Sequence, residues 1–308
     1  MAEMSVSPHS EEPPHPEQDP LPLADSRPEH ERLWTPWRMR YVAGGSHETG
    51  CIFCNRLAES DDTRTLILHR GEHAFAIMNL YPYNTGHVMI VPNAHVASPE
   101  DADPEMLAEL AALRGPMLRA LRRALAPEGF NLGLNVGAVA GAGVNDHLHE
   151  HVVPRWLGDA NFMPILATTT VMPELLPVTY AKVRAELARE IEGATDIWSL
   201  VLSADGRHAL VDDDDALPAI TASEGEPLWR AALRDAHARG ATDAELIGWA
   251  GANRAGEGQP ALLMRGALSP GVALPAAHHL VGIEDLLHGS HARRVREVLG
   301  RIATDREA

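Results

Sequence analysis

The decisive stretch of this chain reads His147-Leu148-His149-Glu150-His151-Val152-Val153. The pattern predicts a strand over residues 147–153, on which side chains alternate between two faces. The three imidazoles would then share one face, about 7 Å apart from one to the next. Imidazole can act as a nucleophile, donate hydrogen bonds to phosphoryl oxygens and change protonation near neutral pH. The alternation therefore favours phosphate chemistry over two plainer interpretations, a metal site and a chance cluster of histidines.

The bulk composition predicts a globular protein with room for two domains, since the chain has 308 residues, 45% of them hydrophobic. The formal net charge of -17 disfavours binding to nucleic-acid backbones, although a local pocket can still take a small phosphorylated ligand. We see no signal peptide and no stretch of membrane-spanning length, and the two cysteines form no disulfide framework. We therefore expect a cytoplasmic protein that binds neither nucleic acid nor membrane.

Composition and periodicity divide the chain into three parts. Residues 1–30 are rich in Pro, Glu, Asp and Ser and are predicted to form a disordered tail. Residues 31–192 and 196–308 each mix strand and helix patterns, which indicates two folded domains. In the first, the patterns predict strands at 65–68, 73–78, 88–91, 131–136 and 147–153, and helices at 104–125 and 178–191. In the second, they predict strands at 198–202, 208–211, 245–249 and 261–264, helices at 228–239 and 292–302, and a hairpin turn at Asp205-Gly206.

The alternating histidines resemble the H-x-H-x-H motif of the histidine-triad family, and the surrounding sequence agrees. Asn79–Pro92 (NLYPYNTGHVMIVP) resembles the segment that precedes this motif. Trp34–Val42 (WTPWRMRYV), Cys51–Cys54 and Val152–Phe162 (VVPRWLGDANF) resemble the family's diadenosine tetraphosphate phosphorylase and hydrolase branch. The resemblance covers residues 33–192. It implies an α+β fold with an antiparallel sheet and flanking helices, a homodimer, and an enzyme that acts on nucleotides.

The resemblance also implies roles for individual residues, with His147, His149 and His151 as the catalytic set. His149 matches the nucleophile, whose imidazole attacks the α-phosphorus of a nucleotide to give a nucleotidyl-histidine. Its other ring nitrogen is implied to donate to the carbonyl of His147, which fixes the tautomer. The nucleotide contacts implied are His151 and His87 for phosphates, Asn79 for the ribose hydroxyls, and Asn135 with the amides around Gly141 and Gly143 for a phosphate-cradling turn.

Two positions depart from the family pattern. Glu150 stands between the second and third histidines, where an apolar residue is usual, and should face the core. We expect either that this face is open or that Glu150 pairs with a nearby arginine. The turn at Ala142-Gly143-Val144 lacks the Ser, Thr or Gln that is common there and leaves only main-chain donors. These departures concern rate and leaving-group preference more than the class of reaction.

Cys51-Ile52-Phe53-Cys54 has thiolate spacing suited to one tetrahedral metal ion, although two free thiols in a loop would give the same pattern. The family resemblance implies that His95 and His147 complete the set. Four protein ligands leave no position for water, so the resemblance implies a structural zinc site of the Cys2His2 type. We expect no organic cofactor.

The stretch Leu217–Glu226, followed by Arg234-Asp235, resembles the motif of Nudix hydrolases. Ala238 and Arg239 replace the two glutamates that would hold Mg²⁺ there. The resemblance thus implies a degenerate Nudix-like domain without metal chemistry. An unrelated small α/β domain accounts for the pattern equally well, and under both interpretations we expect no active site in residues 196–308.

The chain as a whole is predicted to be a nucleotidyl transferase or hydrolase that acts on dinucleoside polyphosphates or related adenylyl compounds. Phosphate as the acceptor would make it a phosphorylase and water a hydrolase, and a nucleoside phosphoramidase is a third variant. The competing hypothesis is a nucleotide-binding sensor that no longer turns over. Glu150 and the turn without hydroxyls favour the sensor, whereas the intact triad opposes it.

Overall fold

The computed structural model of the chain describes residues 49–159, 174–203, 205–212, 219–251, 254–256, 259–268 and 278–282. Several predicted features lie outside these residues: the tail at 1–30, the stretch 34–42, the end of the stretch 152–162, Leu217-Pro218, and the helix at 292–302. Within the described residues, no helix has both the length and the hydropathy that crossing a bilayer requires.

Five antiparallel strands form the first sheet, in the order β1-β2-β3-β5-β4. The strands are β1 (Ile67–Arg70), β2 (Ala74–Met78), β3 (Val88–Pro92), β4 (Gly129–Leu134) and β5 (Glu150–Arg155). The helices of this half are α1 (Ile52–Ala58), α2 (Asp62–Thr65), α3 (Pro104–Leu125) and α4 (Leu176–Glu192). The expected α+β fold with an antiparallel sheet and flanking helices is confirmed. Every residue of β2 and β3 is buried, which explains why these strands read as continuous apolar runs.

Helix α3 covers one face of this sheet through a stripe of buried side chains. It begins at Pro104, whose fixed φ suits the first helical position. It is followed by Ala126 in the left-handed conformation, with φ of 52°. The predicted helix at 104–125 is therefore confirmed at both ends. The buried stripe, spaced for one helix face, consists of Met106, Leu110, Leu113, Met117 and Leu121.

Strand β5 begins at Glu150, so the predicted strand at 147–153 is wrong at its start. The pairing of β5 with β3 stops at Ile90–Glu150, and its pairing with β4 stops at Leu134–Glu150. Without a neighbour on either side, the preceding residues form no ladder. Leu148 instead donates its N–H to the carbonyl of Val96, at 2.6 Å. His147 and His149 thus lie just ahead of the strand, and only His151 belongs to it.

The first predicted strand, at 65–68, is also displaced, and β1 starts at Ile67. Asp61 accepts a hydrogen bond from the N–H of Arg64 at 3.0 Å and caps the single turn α2. Leu66 then takes a left-handed conformation, with φ of 66°. A polar cap therefore prevails over the strand pattern for the first two residues.

Glu150 is buried and forms an ion pair with Arg114 of α3. The Arg114 Nε lies 2.9 Å from both carboxylate oxygens of Glu150. Of the two expectations for this position, the structure shows the pairing with an arginine. A charged residue can therefore stand at this usually apolar position, because Arg114 of α3 pairs with it.

We expect Arg114→Leu to destabilise the protein, because it would leave the Glu150 carboxylate buried without its cation. The cost should be about 2 kcal/mol, less than for a fully buried pair, since the Arg114 side chain is 43% exposed. The double variant Arg114→Leu/Glu150→Leu should recover to within about 1 kcal/mol of the unchanged protein. Urea unfolding of both variants measures this, and equal losses in the single and double variants would refute the pairing argument.

Six strands form the second sheet, in the order β11-β7-β6-β10-β9, with β8 paired to β6. They are β6 (Asp196–Ser203), β7 (His208–Asp212), β8 (Ala219–Thr221), β9 (Ala241–Trp249), β10 (Ala261–Leu268) and β11 (His278–Gly282), accompanied by helix α5 (Leu228–Ala238). Strands β6 and β10 are parallel and the other pairs antiparallel. The predicted hairpin is confirmed, with Gly206 at φ of +69°. The sequence does not predict β8 or β11, and three residues are too few for β8 to show alternation.

Helix α4 lies between the two sheets and contacts both β1 and β9. Its Tyr180 is fully buried, and its hydroxyl lies 2.9 Å from the carbonyl of Ile67 and 3.0 Å from that of Asp62. The Asp62 carboxylate accepts a hydrogen bond from the N–H of Ala255, in the second half, at 2.6 Å. One apolar cluster includes residues of both sheets, such as Leu68 and Leu210. The division at residues 192 and 196 and the Nudix-like character of the second half stay predictions.

Candidate active site

A cavity of about 360 Å³ lies beside the histidines. His149 and His151 line it, together with Asn79, Gly141 and Gly143. The structure therefore brings most of the predicted nucleotide contacts to one place. The wall also includes side chains that the sequence reasoning missed, among them Phe53, Arg56, Arg64, Ile77 and Tyr83. Phe53 stands between the two cysteines and Tyr83 stands four residues before His87, and closeness to these motifs was the available signal.

The carbonyl of His147 sets the protonation of His149. The His149 Nδ1 lies 2.9 Å from that carbonyl oxygen, which can only accept a hydrogen bond. Nδ1 therefore carries the proton, and Nε2 keeps its lone pair. Burial lowers the pKa of His149, which keeps the ring neutral. A neutral imidazole with one nitrogen anchored and the other bearing a lone pair is a competent nucleophile.

His87 sets the protonation of His151 in the same way. The backbone N–H of Tyr83 donates to the His87 Nδ1 at 3.1 Å, so the proton of the neutral His87 ring is on Nε2. That Nε2 lies 2.9 Å from the Nδ1 of His151 and donates to it. His151 in turn carries its own proton on Nε2, where it can donate to a ligand. Burial, reinforced by the nearby imidazoles of His151 and His149, lowers the pKa of His87 to about 3. The His87 ring is therefore neutral at neutral pH and keeps its single proton on Nε2.

Two residues predicted to contact a nucleotide, His87 and Asn135, do not line the cavity, and their roles stay predictions. His87 is fully buried behind His151 and is not among the residues that line the cavity. The contact of His87 with the cavity lining runs through His151, whose Nδ1 lies 2.9 Å from the His87 Nε2. Asn135, directly after β4, is also absent from the lining. Further along the turn, Gly141 does line the cavity. Its φ of +88° is a backbone conformation that favours glycine.

Asn79 is held in place by its neighbours. Its Oδ1 accepts a hydrogen bond from the N–H of Tyr81 at 2.9 Å, and its Nδ2 lies 3.3 Å from the His87 Nδ1. The side chain lines the cavity at the end of β2. These contacts fix an amide group at the position that the resemblance relates to the ribose.

Cys51, Cys54, His95 and His147 form a group that could bind a metal ion, with ligand atoms all within 4.8 Å of one another. The His147 Nδ1 lies 3.2 Å from the Cys51 Sγ, 3.6 Å from the Cys54 Sγ and 3.3 Å from the His95 Nδ1. Tetrahedral bonds of about 2.0–2.1 Å to nitrogen and about 2.3 Å to sulfur would separate the ligands by about 3.3–3.8 Å. The separations from the His147 Nδ1 lie close to this range, as expected of a group that could hold one tetrahedral ion.

The surroundings of this group also suit a cation. The His147 Nε2 lies 2.9 Å from the carbonyl of Pro92, which places the proton on Nε2 and leaves the Nδ1 lone pair directed into the group. Burial and the nearby Cys51 raise the pKa of the Cys54 thiol, so a bound cation would be needed to hold the Cys54 sulfur as a thiolate. Cys51 directly precedes α1 and Cys54 lies within it, so both sulfurs of the group belong to this helix or its start.

Phe53 joins the metal-binding group to the cavity. Its ring centroid lies 5.3 Å from that of His147 and 5.1 Å from that of His149. The residue belongs to α1 and follows Cys51 by two positions. Ligation of the cysteines would thus hold one wall of the cavity against the row of histidines.

Comparisons with known sequences relate this chain to one family. The model of the HIT domain matches residues 61–156. A protein of Mycobacterium tuberculosis named AP-4-A phosphorylase is 40% identical over 171 residues, which are 53% of this chain and 88% of that protein. An uncharacterized HIT-like protein of Mycoplasma pneumoniae is 34% identical over 106 residues, or 34% of this chain and 72% of that protein. A crystal structure of a zinc-bound histidine triad family protein from Mycobacterium smegmatis is 26% identical, with a TM-score of 0.37, and the match covers 47% of this chain and 97% of that one.

Proposed function

This chain belongs to the histidine-triad family, and on that premise we propose that it cleaves dinucleoside polyphosphates through a nucleotide covalently bound to His149. The observation that carries the proposal is the contact between the His149 Nδ1 and the carbonyl of His147. It leaves the Nε2 lone pair on a neutral ring that lines a cavity of about 360 Å³. A cavity of this size suits a nucleotide.

The proposed reaction has two steps. In the first, the His149 Nε2 forms a bond to the α-phosphorus and the bond from that phosphorus to the bridging oxygen breaks. The His151 Nε2–H donates a hydrogen bond to the departing oxygen, which leaves as part of a polyphosphate anion, and the amides of Ala142 and Gly143 stabilise the negative charge. In the second, an oxygen of phosphate or water attacks the same phosphorus, the bond to His149 breaks and its electron pair returns to the His149 Nε2. When water is the acceptor, one of its protons passes to the solvent. With diadenosine tetraphosphate, ATP leaves first, and the second step gives ADP with phosphate or AMP with water.

We favour phosphate as the acceptor, because the Mycobacterium tuberculosis relative is named a phosphorylase. Hydrolase and phosphoramidase activities use the same residues and remain the alternatives within the proposal. The sensor hypothesis loses one of its supports, since the Arg114 pairing explains Glu150 as a packing feature. In the turn at Gly141–Gly143 the N–H of Gly141 donates to the carbonyl of Ala138 at 3.0 Å, so Ala142 and Gly143 supply the main-chain donors for a phosphoryl oxygen.

The test is incubation of the full chain with diadenosine tetraphosphate, with and without inorganic phosphate, and separation of the products by chromatography. ADP and ATP that form only with phosphate would support a phosphorylase, whereas AMP and ATP in both samples would support a hydrolase. Retention of the intact substrate in both samples, with binding detected by calorimetry, would favour the sensor.

We also propose that Cys51, Cys54, His95 and His147 hold a structural Zn²⁺. Two sulfurs and two imidazole nitrogens are a ligand set that zinc prefers. Four protein ligands leave no open position, so the ion would stabilise the fold and supply no step of the reaction.

A homodimer is the third part of the proposal. Strand β4 is at one edge of the first sheet, and its Leu132 and Leu134 are exposed together with the nearby Val136. An edge strand with exposed apolar side chains favours pairing with another chain. Sedimentation equilibrium should give twice the chain mass of 33.3 kDa, and a single-chain mass at micromolar concentration would refute the dimer.

A further inference from the structure

Two aromatic rings flank the row of histidines, and they differ in exposure. Phe53 contacts His147 and His149 and is 3% exposed, so it is part of a closed wall. Tyr83 lies at the other side, with its ring centroid 5.6 Å from that of His151, and is 42% exposed. Both rings line the same cavity. One aromatic surface is therefore enclosed beside the nucleophile, while the other reaches solvent beside the proton donor.

In the proposed reaction only one nucleotide becomes covalently bound to His149. The base of that nucleotide needs only one of the two aromatic surfaces. A dinucleoside polyphosphate carries a second base, which departs with the leaving polyphosphate. In the proposed reaction His151 donates to that leaving group, so the departing half passes the side of the cavity where Tyr83 lies. We propose that Tyr83 forms a second base subsite, on which the base of the departing nucleoside stacks. This inference rests on the proposed function.

The surroundings of Tyr83 hold its ring ready for a ligand. The ring lies 4.6 Å from His87, tilted by 38°, and is stacked at 27° to His151. Its backbone N–H is bound to the His87 Nδ1. The next residue, Asn84, donates through Nδ2 to the Asp159 carboxylate at 2.8 Å and to the carbonyl of Pro154 at 3.1 Å. A ring fixed in this way loses little conformational freedom when a base stacks on it.

The neighbours of Tyr83 extend the surface. Leu80 and Tyr81 precede it in the same loop, line the same cavity and are also exposed. Exposed apolar side chains gathered beside a cavity are typical of a ligand contact. Stacking on an aromatic ring tolerates any base, so the subsite would select for the presence of a second nucleoside more than for its identity.

The test uses the full chain carrying His149→Ala, so that the ligands are bound without turnover. Calorimetric titrations give the Kd of diadenosine tetraphosphate and that of AMP. Adding Tyr83→Ser should raise the Kd of diadenosine tetraphosphate about tenfold, the size of one lost stacking contact. The Kd of AMP should change by less than about twofold, since AMP has no second base. Tyr83→Phe keeps the ring and should match the background variant.

Two results would overturn the subsite. A Kd of diadenosine tetraphosphate unaffected by Tyr83→Ser is the first. An equal rise for both ligands is the second, because it would make Tyr83 a support of His151. If circular dichroism shows that Tyr83→Ser does not fold, the same two Kd values are measured with Tyr83→Leu. This variant keeps apolar packing against His87 but has no aromatic face. Cleavage of diadenosine tetraphosphate by the unchanged chain would leave the proposed function intact after either result, whereas failure of that chain to bind and cleave it would overturn both proposals.

Discussion

His149→Ala is expected to lower the rate of diadenosine tetraphosphate cleavage by a factor of about 10³ or more. The variant lacks the His149 Nε2, the proposed attacking atom. Among the described residues, His149 is the one cavity-lining imidazole whose Nδ1 is bound to the carbonyl of His147. Without it, no covalent nucleotide can form. The side chain is buried beside Phe53, and the loss of its volume is small enough for the fold and nucleotide binding to persist.

Two matched variants separate attack from proton donation and from stability. His151→Ala should cost less than His149→Ala, because it removes a proton donor and leaves the attacking atom. His147→Ala should act through stability, since it removes a ligand of the metal-binding group. Mass spectrometry after rapid quench with substrate should find the nucleotide on His149. Substantial turnover by His149→Ala, or an adduct on another residue, would contradict the mechanism.

Loss of the metal is expected to have the second largest effect. We expect about one zinc per chain in protein purified without chelators, and Cys51→Ser should remove most of it. Structural zinc contributes about 10 kcal/mol or more in small zinc domains. This chain also has a large apolar core, which stabilises the fold independently of a metal. The expected loss in the free energy of unfolding is therefore smaller than in those domains, at several kcal/mol. Because Cys51 directly precedes α1, that helix should loosen first.

Metal analysis by mass spectrometry and urea unfolding with and without chelator check this expectation. His73→Ala is the matched control, since His73 is partly exposed and outside the metal-binding group. It should keep both the zinc and the stability. Protein that contains no zinc, or Cys51→Ser protein with unchanged stability, would contradict the zinc proposal. Chelation should lower stability before it changes the rate per folded molecule, since four protein ligands leave the ion no open position at which to take part in the reaction.

The sequence by itself determined the features that depend on neighbours along the chain. The helix at 104–125 follows from Pro104 and a single apolar stripe, and both of its ends agree with the structure. The order of histidines placed His147, His149 and His151 together, and the family resemblance supplied their expected roles. Alternation did not predict where β5 begins, because a strand lasts only as long as its neighbours pair with it, and pairing stops at Glu150.

Only the tertiary structure decided which distant side chains meet. Tyr83 and His87 precede His151 by more than sixty residues, yet their hydrogen bonds determine which nitrogen of His151 carries the proton. Arg114 neutralises Glu150 across the interface between α3 and β5, although nothing in the local sequence of either residue names the other. Such contacts depend on the register of strands and the rotation of helices, which local sequence patterns leave open. The sequence therefore determined which chemical groups are present, and packing of the sheet decided which of them share protons and charge.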